Sequence, residues 1–442
     1  MKKILSNHKS LTISLSGVLM MTLLNYQFLM GQTEITKWQY GKSGAVSITY
    51  DDGSINQFRK AVPIMNRLNL PGTFFINTGN IPGSEYQPKF IGRPVSEIIS
   101  EAGSLSTNKD NFYERASAAR FLGYKGTSEY FSKAGAQLDA GKDEEAYKTI
   151  DELYRKVNKG ELPPETERKV NTENTLTWEM IKTYAAQGHE FASHTIGHPY
   201  LGVLDEPNML YELEKSREDI LNKLGPEHTF SAETPYCSQD KRVLEYTCRV
   251  YPAVRSSLTD EYFQQIRFLN RTTPVGQNSE YVQWQRGTYT RKPLQEYKAW
   301  VDTTADQQNV WLVLVIHGLD GIGWESVKSE EMDDYFRYIR AKDDVLWIAT
   351  YRDVTKYIRE RKHAEVKASV TKKKITVSLT HTLDKSVYNF PLTIKTVVSP
   401  QWKEATVKQG SDVRIIKTVQ KGSETYVLYQ AMPNAGIIEI TR

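Results

Sequence analysis

The chain has 442 residues, 39% hydrophobic and 25% charged, with a formal net charge of +4. That length exceeds one ordinary core and implies a main domain with additions, and the composition is that of a soluble globular protein. Without Lys2, Lys3 and Lys9 the charge falls to +1, a near-neutral balance that speaks against nucleic acid as a partner, where basic residues must neutralise phosphate.

Those three lysines precede an apolar run from Leu11 to Leu29. A basic stretch before a hydrophobic one reads as a secretory signal peptide over residues 1–31, cleaved near Gly31; an uncleaved signal anchor is the alternative. The expectation is an exported protein, periplasmic, at the cell surface or secreted, with no stable membrane span once the leader is removed.

A β/α alternation follows. Residues 45–50 (AVSITY) read as a buried strand, 54–70 as a helix and 72–77 as a second strand. Helix 177–187, strand 190–194 and helix 206–224 come next, the last with apolar residues at Leu210, Leu213, Ile220, Leu221 and Leu224. Strands are expected at 229–234, 253–257, 281–290, 310–316 and 345–349, with helices near 294–305 and up to 361. Apolar strands alternating with helices indicate a covered parallel sheet, and the number of strands, about seven, favours a barrel over a doubly wound sheet.

Residues 81–174 interrupt this alternation with three helical stretches, 111–122, 127–138 and 142–157. Phe112, Phe121, Phe131, Leu138, Ile150 and Leu153 are their candidate buried positions. Because it follows a strand end, the insertion emerges on the face where barrel sites are built, either as a lid or groove wall or as a stabilising decoration. From residue 365 the pattern changes to short alternating strands, predicting a small all-β sandwich-like domain over 365–442 after a barrel over 32–364. This tail carries 12 Lys and Arg against 6 Asp and Glu. A solvated basic face is the preferred reading over a glycan-binding face built on Trp402, Tyr426 and Tyr429.

The chain has 2 cysteines, Cys237 in a loop and Cys248 near the end of a helix beginning at Asp240. Eight helical residues rise roughly 12 Å, beyond the roughly 7 Å that disulfide Cα atoms allow, so no bridge is expected.

Chemistry-bearing residues cluster at strand ends. AVSITY runs into Asp51-Asp52-Gly53. Adjacent carboxylates there are costly unless a cation and a proton use them, although the triplet is also an ordinary turn sequence. The strand at 190–194 leads into His194 and His198, four residues apart, which can share one cation. Two imidazoles and one carboxylate make an open, catalytic type of metal site. His317 follows the strand 310–316, so three strands present such groups on one face.

The ordered series TYDDG (Thr49–Gly53), SHTIGH (Ser193–His198), ETPY (Glu233–Tyr236) and LVIHG (Leu314–Gly318) resembles the motif set of the polysaccharide deacetylase family, a group of carbohydrate esterases. The likeness spans roughly residues 40–360. It implies a distorted (β/α) barrel with one divalent ion, usually Zn2+, held by Asp52, His194 and His198. It further implies Asp51 as general base, His317 as general acid and the backbone N–H of Tyr236 in an oxyanion hole. The substrate so implied is an acetylated carbohydrate, deacetylated at N or O by a metal-activated water.

One departure stands out. The family's third motif begins with an arginine that braces the catalytic aspartate, and Glu233 occupies that position here. An acid beside Asp51 would raise its pKa, so another cation is needed, Arg255 first and Arg286 second. Trp284 and Trp324 are candidates for walling the acetyl pocket, with the core as their other destination. The Glu233 change also motivates a carbohydrate-binding protein that has lost turnover, and a cyclic amide or other non-sugar acyl substrate is a third reading.

Overall fold

The computed structural model of the chain describes residues 30–165, 175–238, 240–255, 266–270, 272–287, 292–371 and 374–442. The leader expected over 1–31 lies outside these but for its last two residues. The chain divides into two units, one spanning Lys42–Lys356 and the other formed by the segment up to Gly41 with Tyr357–Arg442. The first strand, β1 (Thr33–Ile35), belongs to the second unit: it pairs antiparallel with Leu392–Val397. The sequence reading had grouped it with the barrel, since a three-residue strand carries no signal of its distant partner.

The main unit is a curled sheet of β2 (Gly44–Tyr50), β3 (Gly72–Ile76), β4 (Glu190–Ser193), β5 (Ser231–Ala232), β6 (Ala253–Val254), β7 (Arg267–Asn270), β8 (Val282–Arg286), β9 (Val310–Ile316) and β10 (Leu346–Ile348). Its order is β6-β5-β4-β3-β2-β9-β8-β7, with β10 also on β2. Every pairing is parallel. This is the expected distorted (β/α) barrel, open between β6 and β7 among the described residues. Strand β7 was not anticipated, because the half-exposed RFLN lacks a buried strand's apolar run.

Strand parity assigns two different chemistries to the two faces. Val46, Ile48 and Tyr50 of β2, Phe74 and Ile76 of β3, and Leu312, Leu314 and Ile316 of β9 join one apolar cluster with the helical residues Val62, Met65, Ile181, Trp300 and Tyr335. Burying each such side chain contributes roughly 1.5–3 kcal/mol. The alternate residues face the barrel interior, where polar groups pair. Trp311 Nε1 donates to Ser47 Oγ at 3.0 Å and Thr49 Oγ1 donates to the Leu314 carbonyl at 2.6 Å.

The insertion contributes helices Val95–Ala102, Phe112–Ala119, Thr127–Asp139 and Asp143–Asn158. Phe112, Phe131, Ile150 and Leu153 bury themselves with Leu201, Val203 and Leu213 in a second cluster, whereas Phe121 and Leu138 are half-buried. The helix Glu206–Leu224 keeps its expected span, but Leu221 lies on its exposed side and the buried stripe carries Asn208, Glu212, Ser216 and Asp219. No disulfide joins Cys237 and Cys248, and no helix among the described residues is long and apolar enough to cross a membrane.

The second unit holds two antiparallel sheets. One adds β13 (Leu392–Val397), β16 (Val419–Lys421) and β17 (Glu424–Ala431) to β1; the other comprises β11 (Glu365–Val370), β12 (Lys374–Thr380), β14 (Glu404–Gln409), β15 (Asp412–Lys417) and β18 (Ile438–Thr441). Alternation along β12 buries Ile375, Val377 and Leu379. Trp402 and Tyr429 are buried as well, which leaves them unable to stack on an external glycan.

Candidate active site

Register brings the catalytic candidates together before any side chain is considered. Tyr50 of β2 lies opposite Ile316 of β9, so the next residues, Asp51 and His317, are neighbours and both continue the interior-facing parity. Likewise Ile76 lies opposite Ser193, which places Asn77 beside His194; Asn77 Nδ2 donates to the His194 carbonyl at 2.8 Å. Gln57 ties the first pair of strand ends, donating to the carbonyls of Asp51 and His317 at 2.5 and 2.7 Å.

The Asp51 side chain is buried. Its Oδ2 accepts from Arg255 Nη2 at 2.5 Å and stands 3.4 Å from His317 Nε2. Burial alone would raise its pKa; Arg255, His317 and His194 outweigh that and bring it down to about 2. Its Oδ1 is buried with no hydrogen-bond partner among the described residues, an unused acceptor at the site. Arg255 also donates to Glu233 Oε2 at 3.1 Å and to Thr49 Oγ1 at 2.6 Å. Glu233 and Asp51 therefore share one guanidinium, which supplies the brace that the Glu233 position lacks. His317 is partly buried, and this desolvation lowers its pKa against the opposing charges of Asp51 and Asp52.

Asp52, His194 and His198 converge a few ångströms away. Asp52 Oδ1 is 3.6 Å from His194 Nε2 and 3.3 Å from His198 Nε2, and the three atoms lie within 4.8 Å of one another. Ligands around a tetrahedral zinc with bonds of 2.0–2.1 Å stand about 3.3 Å apart, so the set fits a divalent cation. The donor chemistry fits as well. Burial lowers His194 to about 3 and His198 to about 4, keeping both imidazoles neutral with free lone pairs. His194 Nδ1 is held by the Glu233 carbonyl at 3.0 Å, which directs Nε2 to Asp52 in the manner of a supported metal ligand. Asp52 is raised to about 6 by burial and by Asp51, a penalty that a cation would relieve. Its side chain is 32% exposed and that of His198 28%, leaving the open side a catalytic site requires.

Backbone strain is concentrated here. Asp52 (φ 72°), Thr195 (φ 68°), His198 (φ 54°), Tyr236 (φ 61°) and Cys237 (φ 55°) all occupy the left-handed region without being glycine. Such conformations cost of order 1–3 kcal/mol each and persist where function demands them.

A cavity of about 940 Å³ is lined by Asp51, Asp52, His194, His198, Tyr236, Arg255, Arg286, His317 and Trp324 among others. Trp324 is 58% exposed and meets His317 edge-on at 4.6 Å. Tyr236 stacks on Tyr200 at 3.7 Å and meets His198 edge-on at 4.7 Å. Two of the expected support residues take other partners. Trp284 pairs in register with Leu312 and so faces the outer apolar cluster, not the cavity. Arg286 lines the cavity, but its guanidinium lies over Trp300 at 4.5 Å and pairs with Glu296 at 3.7 Å, not with Asp51. None of the lining residues belongs to the described part of the insertion, 81–165; the Tyr236 side chain nevertheless bonds Ser132 on it.

The residues missed in the sequence are polar supports: Gln57, Asn77, Arg120 and Glu212. Glu212 had a legible signal, since Asn208, Glu212, Ser216 and Asp219 share one helical stripe at spacings of three and four.

Residues 39–111 and 156–250 match the family described as polysaccharide deacetylase; the unmatched 112–155 falls inside the insertion. A gellan lyase from Bacillus sp. is 24% identical over 282 residues, covering 59% of this chain and 11% of that protein, so the chain spans about a tenth of that relative's length. Three solved structures cover most of the chain at low identity. A polysaccharide deacetylase from Mycobacterium smegmatis is 13% identical, TM-score 0.37, covering 75% of this chain and 96% of its own. The Xyl-CE4 domain of a xylanase from the hindgut metagenome of Trinervitermes trinervoides is 12% identical, TM-score 0.33, covering 71% and 90%. The chitin deacetylase from Colletotrichum lindemuthianum is 12% identical, TM-score 0.31, covering 73% and 87%. The matched segments enclose three of the four motifs, TYDDG, SHTIGH and ETPY, and over them the chain is similar to the polysaccharide deacetylase family.

Proposed function

We propose that the protein is an exported, metal-dependent deacetylase that hydrolyses N- or O-acetyl groups on a polysaccharide or oligosaccharide. The observation that carries this is the adjacency of two functions in one cavity: an Asp-His-His set spaced for a cation, and a buried Asp51 with one oxygen bound to Arg255 and the other unused.

Asp52, His194 and His198 would hold the ion, most simply Zn2+ given its preference for nitrogen and carboxylate donors in an open tetrahedral set. Such an ion, when bound, lowers the pKa of a coordinated water toward roughly 7 and polarises the acetyl carbonyl. The chain's own groups do the rest. Asp51, kept ionised by Arg255, accepts the proton of the attacking water at Oδ1. The backbone N–H of Tyr236 would donate to the developing oxyanion, a contact typically worth about 3 kcal/mol. His317, whose Nε2 is 3.4 Å from Asp51 Oδ2, would receive the proton that Asp51 takes from water and hand it to the departing amine or alkoxide, which would otherwise leave poorly. Trp324 and Tyr236 offer exposed aromatic surface on the His317 and His198 sides for a pyranose face.

A binding-only reading rested on the missing arginine, and Arg255 on Asp51 removes that motive. The test is acetate release from acetylated chitin-like, peptidoglycan and xylan oligomers, with and without a chelator. Release that stops with chelator and returns with added Zn2+ is expected; release indifferent to the chelator, or none from any acetylated sugar, would sink the reading.

A further inference from the structure

The loop between the two metal-ligand candidates is held mostly from outside. Thr195 and His198 both adopt positive φ, and one bond within the loop is joined by several from other segments. Thr195 N–H donates to Ser193 Oγ and its carbonyl accepts from Thr78 N–H, at 3.1 Å each. The Ile196 carbonyl accepts from Gly79 N–H at 3.0 Å, and His198 N–H donates to Thr195 Oγ1 at 3.0 Å. The remaining groups go to two charged side chains. Glu212 Oε2 accepts from both Ile196 N–H at 3.0 Å and Gly197 N–H at 2.8 Å. Arg120 Nη2 donates to the Gly197 carbonyl at 2.7 Å, while its Nη1 stands 3.6 Å from Glu212 Oε1.

Glu212 is 4% exposed in the middle of the helix Glu206–Leu224. A packing role there would be better filled by an apolar residue, because burying a carboxylate is costly unless it is paired and bonded. Its bonds all go to the two peptides between His194 and His198 and its ion pair to Arg120, which follows the insertion helix Phe112–Ala119. Gly197 is wedged on the same side: a Cβ there would lie 2.6 Å from Pro88 Cγ and 3.2 Å from Arg120 Nη2.

We propose that Glu212 and Arg120 are positioning residues for metal binding, and that the described part of the insertion, 81–165, through Arg120, sets the separation of His194 and His198. The proposal rests on the reading of Asp52, His194 and His198 as metal ligands. It is tested on the full chain, stripped of metal and titrated with Zn2+ by calorimetry, as wild type, Glu212→Gln, Arg120→Met, Arg120→Lys and His194→Ala.

Wild type should take up one equivalent. Glu212→Gln and Arg120→Met should bind roughly 10- to 100-fold more weakly, as loss of outer supports does elsewhere, with Arg120→Lys recovering part of the affinity; Arg120→Met, which leaves Glu212 buried without its ion-pair partner, should also lower the metal-free unfolding midpoint. Wild-type affinity in both Glu212→Gln and Arg120→Met would overturn the proposal while leaving the metal site standing. Uptake by His194→Ala equal to wild type, or none by wild type, would instead overturn the metal reading and this proposal with it. If Glu212→Gln fails to fold, the Arg120 pair decides alone.

Discussion

Strand β4 has a histidine at each end. His189 precedes it and His194 follows it, both nearly inaccessible, at 2% and 3% exposure. Burial lowers the pKa of both, to about 4 and about 3. What separates them is hydrogen-bond closure. His189 Nδ1 accepts from Gly72 N–H at 3.0 Å, and its Nε2 meets Asn66 Oδ1 at 2.9 Å. His194 closes only Nδ1, on the Glu233 carbonyl, and its Nε2 faces Asp52 across 3.6 Å. At the amino end of the parallel sheet the imidazole is finished by the scaffold. At the carboxyl end, where such barrels build their sites, it is left with an open valence. Burial and pKa alone do not tell a structural histidine from a functional one; the unfilled nitrogen does.

The largest effect expected from this contrast is His194→Ala. It should reduce acetate release to background and abolish stoichiometric zinc uptake, while the metal-free protein unfolds near the wild-type temperature. A variant that unfolds early but keeps its metal would make His194 a core residue like His189 and erase the distinction.

Arg255→Met comes next. The guanidinium serves two buried carboxylates, Asp51 and Glu233, and removing one partner of a buried ion pair typically costs about 3–5 kcal/mol. Chemical unfolding of the variant should show that loss, and adding Glu233→Gln should return part of it, because one stranded charge is then gone. If the double variant is no more stable than the single, Glu233 is not sharing Arg255 and the missing family arginine has no substitute.

Much of this site was legible in the sequence, for a definite reason. Asp51, His194 and His317 each follow an apolar strand, and parallel strands place such residues on one face. Parity would also have assigned Trp284, opposite Leu312, to the outer cluster had the β8–β9 register been known. Arg255 could be named as a substitute brace because a lone cation after a buried strand has few other uses. The polar stripe that carries Glu212 was legible, but the task of Glu212 and Arg120 was not: it is defined by the backbone of a loop whose positive φ values the residue types do not announce. The pairing of β1 with β13 was hidden by sequence distance, whereas the short β5 and β6 fall within the strands expected at 229–234 and 253–257.

The gentlest perturbation is at His189, and it sharpens the comparison from the scaffold side. His189→Ala strands the Gly72 N–H, which costs about 1–3 kcal/mol for an unsatisfied buried donor, and should leave turnover per folded molecule unchanged. The pH dependence carries the sign. The folded protein keeps His189 neutral down to about pH 4, whereas the unfolded chain protonates it near 6.5. Its contribution is therefore complete above pH 6.5 and is lost as the pH falls toward 4, on the order of 3 kcal/mol in all. Other buried histidines titrate in both proteins and cancel in the difference. Urea unfolding of metal-free wild type and His189→Ala from pH 7.5 to 4 should then show wild type ahead at the neutral end and the gap closing as the solution acidifies. Parallel curves would mean that His189 is no more closed than His194, and that its two hydrogen bonds do not select the neutral ring.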